Sequence, residues 1–317
     1  MFTSILVPLD GSPLAERALP HALALARAAK GKLILFRASP SRALVDGLAP
    51  KRAAMAELER SAIQLRASGV EVESYVSRVY QVEIPYGICE AAEEKGADLI
   101  VMSTHGYGGL GRWTYGSVAD EVLRQASVPV VLVSATCEHR WPADHAVRIV
   151  VPLDGSGFAE AALGPARALG EALQAELLLV RAVQPLDSSY ADGTPYLEGR
   201  VETELSEARD YLESIANTLR AAGQAVLVHV EIGSPASTIT NLARERGADL
   251  IAMATHGRSG LARLALGSVA TGTLHLASVP PPARSTCSPA PACGRDGRSG
   301  SPARSGGGAG SAPLKIT

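Results

Sequence analysis

The chain has 317 residues, 46% of them hydrophobic, with 30 Lys and Arg against 32 Asp and Glu for a formal net charge of −2. That length suits about two domains, and so even a charge balance excludes bulk binding to nucleic acid or to an anionic membrane surface. Four cysteines, at 89, 137, 287 and 293, form no C-x-x-C pair, which fits neither a zinc site nor a disulfide framework and points to a reducing, cytoplasmic compartment. No apolar run is long enough to cross a bilayer, and Met1-Phe2-Thr3-Ser4 enters a strand-like run with no basic leader before it.

Short β-branched apolar runs alternate with stretches of helical period, the pattern of a parallel sheet with crossover helices. Strands are predicted at 5–9, 33–37, 70–76, 99–102 and 130–133. Ser12-Pro13 has the chemistry of an N-cap followed by a first-turn proline, and it opens the first helix. After a connector at 134–147, strands are predicted again at 149–153, 177–181, 225–230 and 250–253. Between the second and third of these, Leu205, Ala208, Leu212, Ile215, Leu219 and Ala222 step by three and four and form one apolar helical stripe.

The two series are copies of one another. Ile5-Leu6-Val7-Pro8-Leu9-Asp10-Gly11-Ser12 recurs as Ile149-Val150-Val151-Pro152-Leu153-Asp154-Gly155-Ser156, at an offset of 144. Gly96-Ala97-Asp98-Leu99-Ile100 recurs from Gly247, and Thr104-His105-Gly106 from Thr255, both at an offset of 151. Gly116-Ser117-Val118-Ala119 and Ala126-Ser127-Val128-Pro129 recur in the same order, so a domain of about 140 residues has been duplicated. The expected fold is α/β, two tandem doubly wound five-stranded parallel sheets of strand order 3-2-1-4-5, spanning residues 1–136 and 147–281. The second copy is expected to lack its last strand, because Val279-Pro280-Pro281-Pro282 removes ladder donors where the first copy reads Val128-Pro129-Val130-Val131. Of residues 280–317, 26 of 38 are Pro, Gly, Ser or Ala, so the tail from 282 to 317 is expected to be disordered.

Open α/β sheets bind ligands beyond the carboxyl ends of their strands, where the strand order reverses. Asp10 follows the first strand and Ser103-Thr104-His105-Gly106 follows the fourth; Asp154 and Ala254-Thr255-His256-Gly257 repeat the placement. From Gly106 the chain is glycine-rich as far as Gly116-Ser117, where a helical pattern starts, and the second copy keeps Gly257, Gly260, Gly267 and Ser268. Glycines admit a phosphate close to the backbone, and a helix N-terminus offers it free N–H groups; the alternative is ordinary turn chemistry.

These residues resemble the universal stress protein family, in tandem form. The signature of its ATP-binding branch is Gly-x-x-Gly, nine residues, then Gly-Ser or Gly-Thr. Gly106 and Gly116-Ser117 match it, as do Gly257 and Gly267-Ser268, each pair separated by nine residues, while Ser103 and Ala254 stand at the first glycine. The resemblance implies ATP as ligand, with adenine and ribose contacts from Pro8, Asp10 and Ala38 and phosphate contacts from Ser103, Thr104, His105, Gly106, Gly109, Gly116, Ser117, Val118 and Ala119. In the second copy it implies Pro152, Asp154, Ala182, Ala254, Thr255, His256, Gly257, Gly260, Gly267, Ser268, Val269 and Ala270. It also implies that the domains dock through their fifth strands as an intramolecular pseudo-dimer, and an edge left by a missing strand would recruit a second chain into a homodimer, or aggregate.

Asp10 and Asp154 are candidate Mg²⁺ contacts, or else caps of their Gly-Ser turns. His105 and His256 invite an acid–base role, but neither copy shows a paired acid, a nucleophile elbow or a metal-ligand cluster beside them, and no catalytic residue is assigned. Arg37 and Arg181 end their strands where the family often has His, and Cys89 lies in a helical pattern as a small core residue. The leading expectation is an ATP-binding regulatory protein of stress adaptation with slow or no hydrolysis. Its rival is a dimerisation or chaperone-like module that binds no nucleotide. An adenylating pyrophosphatase would need a Ser-Gly-Gly-x-Asp-Ser type of loop, which Pro-Leu-Asp-Gly-Ser does not supply.

Overall fold

The computed structural model describes residues 2–40, 49–79, 83–104, 116–134, 146–184, 195–254, 267–278 and 314–316. The first copy comprises β1 (Ser4–Pro8), α1 (Pro13–Glu16), α2 (Ala18–Ala29), β2 (Lys32–Pro40), α3 (Ala49–Arg66), β3 (Glu71–Val79), α4 (Ile84–Glu94), β4 (Leu99–Ser103), α5 (Ser117–Gln125) and β5 (Val130–Val133). The second comprises β6 (Arg148–Pro152), α6 (Gly157–Glu160), α7 (Leu163–Leu173), β7 (Glu176–Val183), α8 (Pro195–Ala221), β8 (Val226–Ile232), α9 (Pro235–Glu245), β9 (Leu250–Ala252) and α10 (Ser268–Ser278); β10 (Leu314–Ile316) follows. The predicted first helix is two pieces, α1 and α2, joined at Arg17.

All five strands of the first copy are parallel, in the order β3-β2-β1-β4-β5. The second copy repeats that order as β8-β7-β6-β9 and has no fifth strand of its own in sequence among the described residues. Central strands of a parallel sheet are covered on both faces and so read as continuous apolar runs. Ile5, Leu6, Val7, Ile149, Val150 and Val151 accordingly have no exposed surface. Burial on that scale stabilises by about 1.5–3 kcal/mol per large side chain.

The repeated Gly-Ala-Asp segments explain how each central pair of strands is held. Gly96 and Gly247 turn the chain out of α4 and α9 at φ +61° and +59°, a conformation that disfavours any side chain. The aspartate two residues on then faces the start of the neighbouring strand. Asp98 accepts hydrogen bonds from the Thr3 and Ser4 backbone N–H groups at 2.8 and 3.0 Å, and Asp249 accepts from the Arg148 N–H at 2.8 Å.

The tail departs from the expectation of disorder at its far end. Residues 279–313 lie outside the described residues, but Leu314–Ile316 forms β10, parallel to β9 and antiparallel to β5. A physical reason is available in the edges themselves. With no fifth strand beside β9, both β9 and β5 present rows of unpaired N–H and C=O groups, and Leu-Lys-Ile is the one stretch of the tail with strand-forming aliphatics. β10 thus stands where a fifth strand of the second copy would stand.

Candidate functional site

Each copy closes its first strand with the same turn. Asp10 Oδ1 accepts from the Ser12 N–H at 2.8 Å, and Ser12 Oγ accepts in turn from the Ala15 N–H at 3.1 Å, capping α1. In the second copy Asp154 Oδ1 accepts from the N–H and hydroxyl of Ser156 at 2.9 and 2.6 Å, and Ser156 Oγ accepts from the Ala159 N–H at 3.2 Å. Gly11 and Gly155, between these pairs, both have φ +85°, which is why the turn needs glycine. Both aspartates therefore cap their turns, the role weighed against Mg²⁺ binding.

Across the crevice, β4 ends at Ser103, and Ser103 and Thr104 are buried. The Thr104 N–H bonds the Val133 carbonyl and the Gly116 N–H bonds the Thr104 carbonyl, both at 2.9 Å. These bonds fix Gly116 as the residue before α5, so Ser117, Val118 and Ala119 form the first turn, whose N–H groups have no partner within the helix. Pro8 ends β1 and Ala38 lies in β2. His105, Gly106 and Gly109 lie outside the described residues, as do Thr255, His256, Gly257 and Gly260.

In the second copy the corresponding ends enclose a cavity of about 630 Å³. Pro152, Asp154, Ala182, Ala254, Gly267, Ser268, Val269 and Ala270 line it, which brings together every second-copy candidate that is described. Sequence reasoning missed several of the other walls: Val180, Ile239 and Met253 add apolar surface, and Glu204 and Glu207 of α8 add two carboxylates.

A second signal was present in the sequence. From α3 into β3 the copies match at an offset of 154: Gly69 and Gly223 turn at φ +82° and +87°, and Leu58 and Ala62 are buried as Leu212 and Ala216 are. The same offset relates two arginine clamps. Arg66 bonds Glu59 at 2.8 Å and the Val72 carbonyl; Arg220 bonds Glu213 at 2.7 Å and the Val226 carbonyl. It sets Glu57 opposite Tyr211, and these two residues hold Arg37 and Arg181 differently; neither arginine ends its strand as expected, because ladder pairing carries β2 on to Pro40 and β7 on to Val183. Arg37 forms an ion pair with Glu57, and its guanidinium lies so close to Gly11 that a Cβ there would stand 2.7 Å from Nη1. Arg181 instead lies over the Tyr211 ring, 5.2 Å from its centroid, and lines the cavity. The Tyr211 hydroxyl donates to Glu160 at 2.8 Å; burial and that carboxylate hold its proton well above the usual phenol range.

Cys89, on α4, is buried as expected, and burial pushes its thiol up to about 11. No cluster of three or more His, Cys, Asp or Glu side chains suited to a metal occurs among the described residues, and none of their helices is long and apolar enough to cross a membrane.

Comparison with known proteins places this architecture. The universal stress protein family profile matches residues 1–134 and 147–280. Universal stress protein Sll1388 of Synechocystis sp. is 31% identical over 140 residues, 40% of this chain and 90% of that protein. Universal stress protein Rv2005c of Mycobacterium tuberculosis is 30% identical over 187 residues, 58% of this chain and 60% of the relative's length. Among solved structures, a functionally unknown protein of Pseudomonas aeruginosa, PA1789, superimposes with a TM-score of 0.63 at 20% identity, over 86% of this chain and 89% of that one. A universal stress protein from Archaeoglobus fulgidus does so with a TM-score of 0.59 at 21% identity, over 86% and 92%. Likeness at that identity speaks for the fold, whereas the profile covers both repeats from the first strand onward, and on that ground the chain belongs to the universal stress protein family, as two tandem copies.

Proposed function

We propose that this chain is a cytoplasmic, adenine-nucleotide-binding regulatory protein of stress adaptation, with one ATP crevice in each copy. The observation that carries the proposal is the cavity of about 630 Å³ at the strand ends of the second copy, within the size range of small-molecule sites. Its chemistry suits a nucleotide at both ends. Val180, Ala182, Ile239 and Met253 offer an apolar wall for a flat base, and Gly267-Ser268 opens α10 with N–H groups for phosphate. The nine-residue spacing from Gly257 to Gly267, repeated from Gly106 to Gly116, supports the same ligand in both copies.

ATP in this proposal is a conformational ligand: it orders the strand-end loops and shifts a partner-binding equilibrium, with hydrolysis slow or absent. A Mg²⁺ that arrives with ATP is held by phosphate oxygens, beside an Asp154 whose Oδ1 also accepts from Ser156. The rival, a dimerisation or chaperone-like module without nucleotide, draws support from Ser103 and Ala254, which replace the first glycine of the signature. Mass analysis of small molecules released from natively purified protein separates the two. Adenine nucleotide is expected in the released fraction; its absence, together with no thermal shift on adding ATP, would leave the rival standing.

A further inference from the structure

The two copies carry the same arginine at matching places in β2 and β7 but hold it in opposite ways. In the first copy, Glu57 neutralises Arg37 and fixes the guanidinium against Gly11, on the turn that follows Asp10. The pair is half sheltered, with Arg37 20% and Glu57 44% exposed. In the second copy the position of Glu57 is taken by Tyr211, whose ring face carries Arg181 with no ion pair to a carboxylate among the described residues, and whose hydroxyl is tied to Glu160. Arg181 there is part of the wall of an open cavity. Besides Asp154, two acidic residues face that cavity, Glu204 and Glu207, where the offset of 154 gives the first copy Pro50 and Ala53. Carboxylates of this kind accept hydrogen bonds from ribose hydroxyls, whereas a guanidinium attracts phosphate.

Resting on the ATP proposal above, we infer that the two sites are unequal and that the Glu57/Tyr211 position sets the difference. The second crevice binds ATP more tightly. In the first, an incoming nucleotide meets an arginine already committed to Glu57 and packed against Gly11, so binding requires the ion pair to be broken or leaves the arginine's charge unused. Glu57 is thus a specificity-determining residue that touches the ligand only through Arg37. A half-exposed ion pair sets the size of the effect at about fivefold in affinity.

Hydrogen exchange of the full chain during titration with Mg-ATP reads each copy separately. Protection across 149–156 and 176–184 is expected at about fivefold lower ATP than protection across 5–12 and 32–40. Glu57→Gln, which keeps the shape and removes the charge, and Glu57→Tyr, which installs the second copy's residue, are each expected to shift the first-copy midpoint toward the second and leave the second unmoved. Tyr211→Glu is expected to weaken the second copy alone. Coincident midpoints in the unmodified protein, or a first-copy midpoint that neither Glu57 variant moves, would overturn the inference while leaving ATP binding intact. Absence of ATP protection in both copies of every variant would overturn the ATP proposal and this inference with it.

Discussion

At its last strand the first copy reads Val130-Val131-Leu132-Val133 and forms β5; at the matching point the second reads Pro281-Pro282-Ala283-Arg284. At the turn after their first strands, by contrast, the copies agree in sequence, in the Asp-to-Ser hydrogen bond and in a glycine φ of +85°. The duplicated domain has therefore kept the strand ends that frame its crevices and given up a strand at its edge. The lesson is physical: a sheet edge can be completed by whatever segment offers N–H and C=O groups, here β10, whereas a ligand crevice depends on particular residues at particular strand ends.

The largest effect that would break the comparison lies in those crevices. Gly116→Val combined with Gly267→Val is expected to lower ATP affinity by at least about a hundredfold in a protein that still folds, because a branched side chain fills the space through which backbone meets phosphate. Unchanged affinity in the folded double variant would reduce these glycines to turn residues.

The repeated aspartates sharpen it next. Asp249 is 2% exposed and Asp98 more so, although both bind the first residues of the neighbouring strand. Asp249→Ala is expected to cost about 2–3 kcal/mol and Asp98→Ala about 1–2, since unsatisfied N–H groups cost more where water cannot reach them. Denaturant unfolding of the two variants tests this, and equal losses would show that burial does not separate the copies here.

Removing residues 314–317 tests the edge. It deletes the pairing of β10 with β5 and β9, so the expected loss of stability is about 1 kcal/mol or less, but the exposed edges should raise self-association in sedimentation velocity. A truncated chain with the association state of the full chain would mean that β10 does not guard the seam. The smallest difference is at Cys89, which the offset of 151 sets opposite Thr240; both are buried. With its thiol held up to about 11, Cys89 in the folded chain should react with an alkylating reagent at pH 8 far more slowly than in the unfolded chain, as peptide-level mass spectrometry would record.

Much of this was legible in the chain itself. Parallel strands buried on both faces must be apolar throughout, so β1, β4, β6 and β7 stood out as runs, and the repeat carried the assignment from one copy to the other. The Asp10 and Asp154 turns were legible for the same reason, because Asp-Gly-Ser before a helix is local chemistry. Arg37–Glu57 and Arg181–Tyr211 were not, since each joins a strand to a helix residue 20 or 30 positions further on, and no hydrophobic period records such a contact. β10 escaped because three residues in a Pro/Gly/Ser-rich tail show no alternation long enough to read; its pairing follows from the open edges beside it.

Whether the crevices take adenine nucleotide is read by calorimetric titration of nucleotide-stripped protein with Mg-ATP. Saturable heat in the low-micromolar range or tighter, with up to two ATP bound per chain, is the result predicted. No heat at millimolar ATP would contradict it.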